Sequence, residues 1–154
     1  IETTAWDVGK GNRKAKRFGD IVGYSTSVLP GSAVYAAEQP KMFSMILGDP
    51  MTRKLCHNAK FEYKLLRRNG IELRNFDDTM GLAYVLGYTE LGLKVLAAKL
   101  LGVATREFTH VTAGVDIADR ETIRARFASD YAYGCADSDN TRRLYYVLKA
   151  EAER

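Results

Sequence analysis

Residues 21–37 constrain the fold of this chain more than any other stretch. Val22, Tyr24, Thr26 and Val28 recur at every second position, Leu29-Pro30-Gly31-Ser32 interrupts them, and Ala33 to Ala37 resumes in strand-like composition. Period two sends alternate side chains to opposite faces and the Pro-Gly pair reverses the chain, which predicts an antiparallel β-hairpin. Downstream the period changes. A short helix fits Gln39 to Leu47, with Pro40 in its first turn and Gly48-Asp49-Pro50 ending it. Arg53 to Cys56 is a short strand, and Asn58 is placed to cap a helix whose Phe61, Leu65 and Leu66 form an apolar stripe, stopped by Asn69-Gly70. Ile71 to Phe76 is brief and extended, Asp78 to Leu86 is helical, and Leu93 to Leu101 is a strong helix followed by Gly102. Ala104 to Asp119 has no period and is expected to be a long loop. Glu121 to about Glu151 is helical, with a bend expected near Tyr133-Gly134, since one straight helix of that length exceeds a core of this size. A hairpin followed by alternating helices and strands predicts a mixed α/β domain with one sheet.

Composition limits the alternatives. At 154 residues, with 46% hydrophobic and 27% charged residues, the chain suits one globular domain and lies far from the low-hydrophobicity corner where chains stay disordered. No apolar run approaches the ~20 residues of a membrane-spanning helix, and Ile1-Glu2-Thr3-Thr4 lacks the basic-then-apolar order of a secretory signal. Cys56 and Cys135 stand far apart and outside any CxxC pair, which points to a reducing interior, the cytoplasm, rather than to a disulfide framework or a zinc knuckle. The net charge of +4 suits a polyanionic partner without requiring one. Lys10, Arg13, Lys14, Lys16 and Arg17 crowd into one loop, open to two readings: a solvated turn, or a contact to phosphate backbone. Gly9-Lys10-Gly11 is no phosphate-cradling P-loop, because the Gly-Lys-Ser/Thr order is missing.

The residues able to do chemistry are few. Glu2 opens the chain beside Thr3, Asn58 and Glu62 share a helix face, and Tyr133 and Asp137 repeat that spacing on the last helix. Carboxylates gathered from distant segments repel unless a cation neutralises them, and hard oxygen ligands select Mg²⁺ or Mn²⁺. Taken singly, Glu62 suits a solvated helix face, Asp137 an exposed turn and Tyr133 a core position.

In order and spacing the motifs resemble those of the 3′–5′ proofreading exonuclease domain of family A DNA polymerases, within the DnaQ-like, RNase H-like group. Ile1-Glu2-Thr3-Thr4 is similar to the end of an Asp-x-Glu-Thr first motif. Ile21 to Ser25 followed by Pro30-Gly31 is similar to the second and third strands. His57-Asn58-Ala59-Lys60-Phe61-Glu62 resembles the second motif, with Gly70 to Arg74 and Asp78-Thr79-Met80 behind it, and Tyr133 to Asp137 fits the third, Tyr-x-x-x-Asp. The resemblance runs from Ile1 to about Leu148. It implies a five-stranded mixed sheet flanked by helices, with the first strand central and the metal cluster at its end. It implies hydrolysis of the terminal phosphodiester of single-stranded or frayed DNA, releasing nucleoside monophosphates by a route using two divalent cations, Mg²⁺ or Mn²⁺. By the same resemblance Glu2 and Asp137 hold the first metal, Glu2 and Tyr133 orient the attacking water, and Glu62 takes the second motif's acid position. Thr3 and Trp6 contact and wedge the terminal nucleotides, and His57, Asn58, Phe61 and Phe108 hold the single strand. The implied partners are a DNA 3′ end and a polymerase domain in cis, in a bacterial or phage-infected cell. His110 receives no catalytic role.

Two departures accompany the match. The first motif begins one residue ahead of Ile1, so the expectation is a chain trimmed of its bridging Asp and of the strand that leads to it. Glu62 stands where the family carries Asp, and one extra methylene moves a carboxylate far enough to cost ~100-fold in rate. Two alternatives therefore stay open beside an active exonuclease: an impaired scaffold or single-strand binder, and an RNA-trimming relative of the RNase D kind.

Overall fold

The structure is a computed structural model that describes residues 2–3, 21–37, 41–116 and 119–154. Trp6 and the basic run from Lys10 to Arg17 lie outside the described residues.

The expected hairpin forms. β2 (Ile21–Leu29) pairs antiparallel with β3 (Ser32–Ala36) across a turn in which Gly31 takes φ 70°, and β1 (Glu2–Thr3) pairs with the other edge of β2, Glu2 opposite Gly23. After α1 (Lys41–Gly48), a second unit runs β4 (Lys54–Cys56), α2 (Ala59–Arg68), β5 (Phe76–Asp78), with β4 and β5 parallel and Cys56 opposite Asp78. Helices complete the chain: α3 (Thr79–Val85), α4 (Leu93–Leu101), the single turn α5 (Phe108–Val111), α6 (Arg120–Ser129) and the long α7 (Tyr131–Ala152). No helix among the described residues is long and apolar enough to cross a membrane.

Three apolar clusters hold these parts together. Ile21 and Tyr24 of β2 pack with Leu47, Leu65, Leu66, Ile71 and Leu73. Val22 of the same strand packs with Val111, Ile123, Phe127 and Tyr133. Ala83, Leu96 and Ala97 close on Leu144 and Leu148 of α7. α7 thus touches two of the three clusters, and it is also tied to the tip of the hairpin. The Asp139 carboxylate accepts the Gly31 N–H at 2.8 Å and the Ser27 hydroxyl at 3.3 Å.

Several expectations need correcting. Among the described residues the strands form a three-stranded antiparallel ladder, β1-β2-β3, and a separate two-stranded parallel ladder, β4-β5, rather than one five-stranded sheet. β1 contributes two residues and its pairing is with β2. Asn58 does not cap α2 through its side chain: it adopts φ 65°, and its own N–H and that of Ala59 donate to Asp78 at 2.9 and 3.0 Å. The extended stretch predicted from Ile71 enters its ladder only at Phe76. The long loop contains α5. The last helical region breaks at Asp130 (φ −122°, ψ 46°), upstream of the predicted bend at Tyr133-Gly134. There the Ser129 hydroxyl donates to the Arg126 carbonyl at 2.8 Å, and Arg106 holds both Asp130 carboxylate oxygens at 2.6 Å. Gly134 continues inside α7, buried.

Candidate active site

One cavity of about 740 Å³ gathers side chains from seven elements, β2, α1, β4, α2, α4, α5 and α7, and the segments beside them. Its lining includes His57 after β4, Glu62 of α2, Leu93 of α4, Phe108 of α5, and Tyr133 and Asp137 of α7. Tyr133 and Asp137 meet there because residues four apart share a helix face. Tyr133 is buried, its ring 5.9 Å from Phe127, while its other neighbour Val22 belongs to the strand that β1 pairs with. The backbone of Glu2 and Thr3 therefore runs along the strand that backs Tyr133.

The base of the site is built by hydrogen bonds. Asp78 is the organiser: besides the two amides of the β4–α2 turn it accepts the Met80 N–H at 3.0 Å, so one carboxylate caps α2 and α3 together. The next residue, Thr79, is fully buried, and its hydroxyl oxygen lies 2.8 Å from His57 Nδ1 and 3.0 Å from the Cys56 carbonyl oxygen. His57 Nε2 lies 2.9 Å from the Leu91 carbonyl. Burial holds the His57 pKa below its ordinary value, opposed by the Leu91 bond and by the nearby carboxylates of Asp78 and Asp137. The Thr79 hydroxyl donates its one hydrogen to the Cys56 carbonyl, and both ring nitrogens of His57 lie within hydrogen-bond distance of oxygen, Nδ1 of Thr79 and Nε2 of the Leu91 carbonyl. Both nitrogens are committed to the fold, so what His57 offers the cavity is ring surface. Burial, then the Glu62 carboxylate, push the Cys56 thiol up to about 12, so it is no nucleophile.

Asp137 carries a cation of its own. Lys94 Nζ lies 3.1 Å from Oδ1 and 3.5 Å from Oδ2, and the same ammonium sits 4.3 Å from the centroid of the Tyr133 ring. Both side chains of this pair are mostly buried, Lys94 at 18% and Asp137 at 24% exposure. Glu62 is half-buried, with its Oε2 atom withdrawn from solvent.

Of the residues singled out in the sequence, Glu62, Tyr133, Asp137, His57 and Phe108 come together in this cavity. Phe61 instead packs against the cluster of Leu65 and Leu66, and Asn58 is exposed. The side chains of Glu2 and Thr3, and all of Trp6, lie outside the described residues. Among the described residues no three acidic, His or Cys side chains group closely enough to hold a metal. Three contributors were not identified from the sequence. Asp78 and Thr79 were visible only as context behind the second motif. Lys94 gave one faint signal, a lysine in the first turn of a helix, where the helix dipole disfavours a cation.

Comparison with known proteins identifies the family. Residues 24–153 match the family model described as 3′–5′ exonuclease. A curated relative, DNA polymerase I of Rhizobium leguminosarum, is 38% identical over 68% of this chain, and the chain spans about a tenth of its length, 10%. In fold the chain is similar to a solved structure described as the POL domain of Pol1 from M. smegmatis in complex with DNA primer-template and dNTP. The TM-score is 0.51 at 20% identity, over 84% of this chain and 23% of that one. With nearly the whole described body inside the match, and with Glu62, Tyr133 and Asp137 converging on one cavity, the chain belongs to the 3′–5′ exonuclease family of the family A DNA polymerases.

Proposed function

We propose that this chain removes nucleotides from the 3′ end of single-stranded or frayed DNA by metal-dependent phosphodiester hydrolysis, as the proofreading unit of a DNA polymerase I-like protein in a bacterial or phage-infected cell. The observation that carries the reading is the convergence of Glu62, Tyr133 and Asp137, from α2 and α7, on one cavity in a chain of this family.

The donor chemistry fits hard divalent cations. Carboxylate oxygens of Glu62 and Asp137 line the same cavity, one of them already withdrawn from water, and a carboxylate so placed gains from an adjacent cation. In this reading Glu2, Asp137 and Glu62 would hold Mg²⁺ or Mn²⁺, with the Asp expected ahead of Ile1 completing the set. Such ions, when bound, supply a water of lowered pKa and neutralise charge on the leaving oxygen. The protein's own part is positioning. The Tyr133 hydroxyl, fixed by a ring packed on Phe127, orients the attacking water. The His57 ring and Phe108 give a terminal base apolar surface, worth about 1–3 kcal/mol per stacked base. In the same reading Thr3 and Trp6 contact and wedge the terminal nucleotides, and Asn58 and Phe61 join His57 and Phe108 in holding the single strand. The same reading joins the two ladders through a first strand extended upstream, giving the five-stranded sheet.

The test is nucleotide release from 5′-labelled single-stranded DNA by a chain extended to begin Asp-Ile-Glu-Thr. Stepwise shortening with Mg²⁺ or Mn²⁺, abolished by Asp137→Ala, is the expected result. No release with either metal would leave the scaffold reading, which the Glu62 side chain favours, and preferential shortening of RNA would favour the RNA-trimming alternative.

A further inference from the structure

Lys94 is the cation paired with Asp137. Its ammonium reaches both oxygens of Asp137 and lies over the face of Tyr133, so it engages the two third-motif residues at once. Nothing in α4 calls for it. A lysine in the first turn opposes the helix dipole, and the helix buries Leu96 and Ala97 rather than this position. What holds it is the charge of Asp137, in a setting where both side chains are largely removed from water and screening is weak.

We infer that Lys94 is a resident counter-ion that keeps Asp137 neutralised in the resting site and exchanges against the divalent cation. This rests on the metal reading of the preceding subsection and adds to it the residue that controls metal entry. A carboxylate already paired with an ammonium binds a second cation less well than a bare one, because the pair must first separate. Lysine suits that exchange: its four-carbon stem lets the ammonium swing to solvent without moving α4, whereas a fixed guanidinium fork would not leave as easily. Its departure also uncovers the Tyr133 ring face, so the water-orienting residue and the ligand are released in one movement. Lys94 is thus a positioning residue, acting through Asp137 and Tyr133.

The measurement is Mn²⁺ affinity, read by electron paramagnetic resonance on the chain and its Lys94→Met and Lys94→Arg variants. Lys94→Met keeps the stem and removes the charge, and is expected to tighten Mn²⁺ binding about tenfold, within the span usual for coupled sites. Lys94→Arg is expected to bind no more tightly than the unaltered chain. Equal or weaker binding by Lys94→Met overturns the inference. So does an absence of binding in every version, while the exonuclease reading then still stands or falls on nucleotide release by the extended chain. A second measurement needs no loss of the ammonium: in the unaltered chain with ¹³C-labelled lysine, the Lys94 ε-methylene signal, assigned from its disappearance in Lys94→Arg, is expected to shift on adding Mg²⁺. A signal that stays in place at saturating Mg²⁺ also overturns the inference.

Discussion

His57 shows how one side chain couples the floor of the site to acidity. Its ring is half-buried, with Nε2 2.9 Å from the Leu91 carbonyl and Nδ1 2.8 Å from the Thr79 hydroxyl, and the loss of water around it keeps its pKa low. In the unfolded chain the ring titrates near its ordinary ~6.5, so below that pH the unfolded state binds a proton that the folded state refuses. The contribution of His57 to stability is therefore present above about pH 6.5 and is lost as pH falls toward the lowered folded value. Urea midpoints of the chain and of a His57→Asn variant, compared between about pH 7.5 and 5.5, should converge or cross as the medium becomes acidic. A difference that stays constant over that range would exclude the assignment. Single residues were legible in the sequence where their partners lay on the same helix. Tyr133 and Asp137 could be paired on spacing alone, since i and i+4 fix a common face. Lys94 could not, because its partner lies 43 positions away and only the packing of α4 on α7 brings them together.

At the level of elements, Asp78 does work that no isolated helix rule would assign to it. It ends β5, starts α3, and accepts the amides that open α2, so the second motif and the segment behind it share one carboxylate. Asp78→Ala should cost about 2–3 kcal/mol, more than a single cap because two helix starts lose their acceptor. A thermal melt followed by circular dichroism should fall by roughly 4–10 °C for a chain of this size, with Asp78→Asn intermediate. A change under about 2 °C would show that water replaces the carboxylate at all three amides. Element boundaries were readable where the signal is covalent and local. Gly102, at φ 66°, ends α4 where the sequence placed the stop, and the Pro30-Gly31 turn sits where the period of two breaks. They were misread where a side chain distant in sequence supplies the missing partner. Asn58 has the composition of a cap, yet Asp78 occupies the role; the α6–α7 break is held by Arg106, from a segment without period.

Among the described residues helices gather around two ladders, and the mixed α/β class followed from the hairpin and the alternation behind it. The separation into two ladders did not, since which strands hydrogen-bond to one another leaves no periodic trace in the sequence. Charge sets the chain's behaviour toward a polyanion. The sequence carries an excess of +4, and Arg53 and Arg142 line the cavity beside aromatic rings, Arg53 donating to the Tyr145 hydroxyl at 3.0 Å and Arg142 lying 5.0 Å from the Tyr146 centroid. One phosphate contact from each of these two arginines implies a log–log salt slope of about −0.7 per contact, so affinity for a single-stranded oligonucleotide should fall roughly sevenfold between about 50 and 200 mM salt. Fluorescence anisotropy on a labelled oligonucleotide measures it, and a flat salt response would remove the backbone contacts from the picture.

The bond from the Gly31 amide to Asp139 joins distant places mechanically. Asp139 stands two residues beyond Asp137 on one helix, so the solvent-facing hairpin tip is the far arm of a lever whose near arm is a carboxylate of the cavity lining. A neighbouring domain seated on that tip would have purchase on Asp137 without ever entering the cavity.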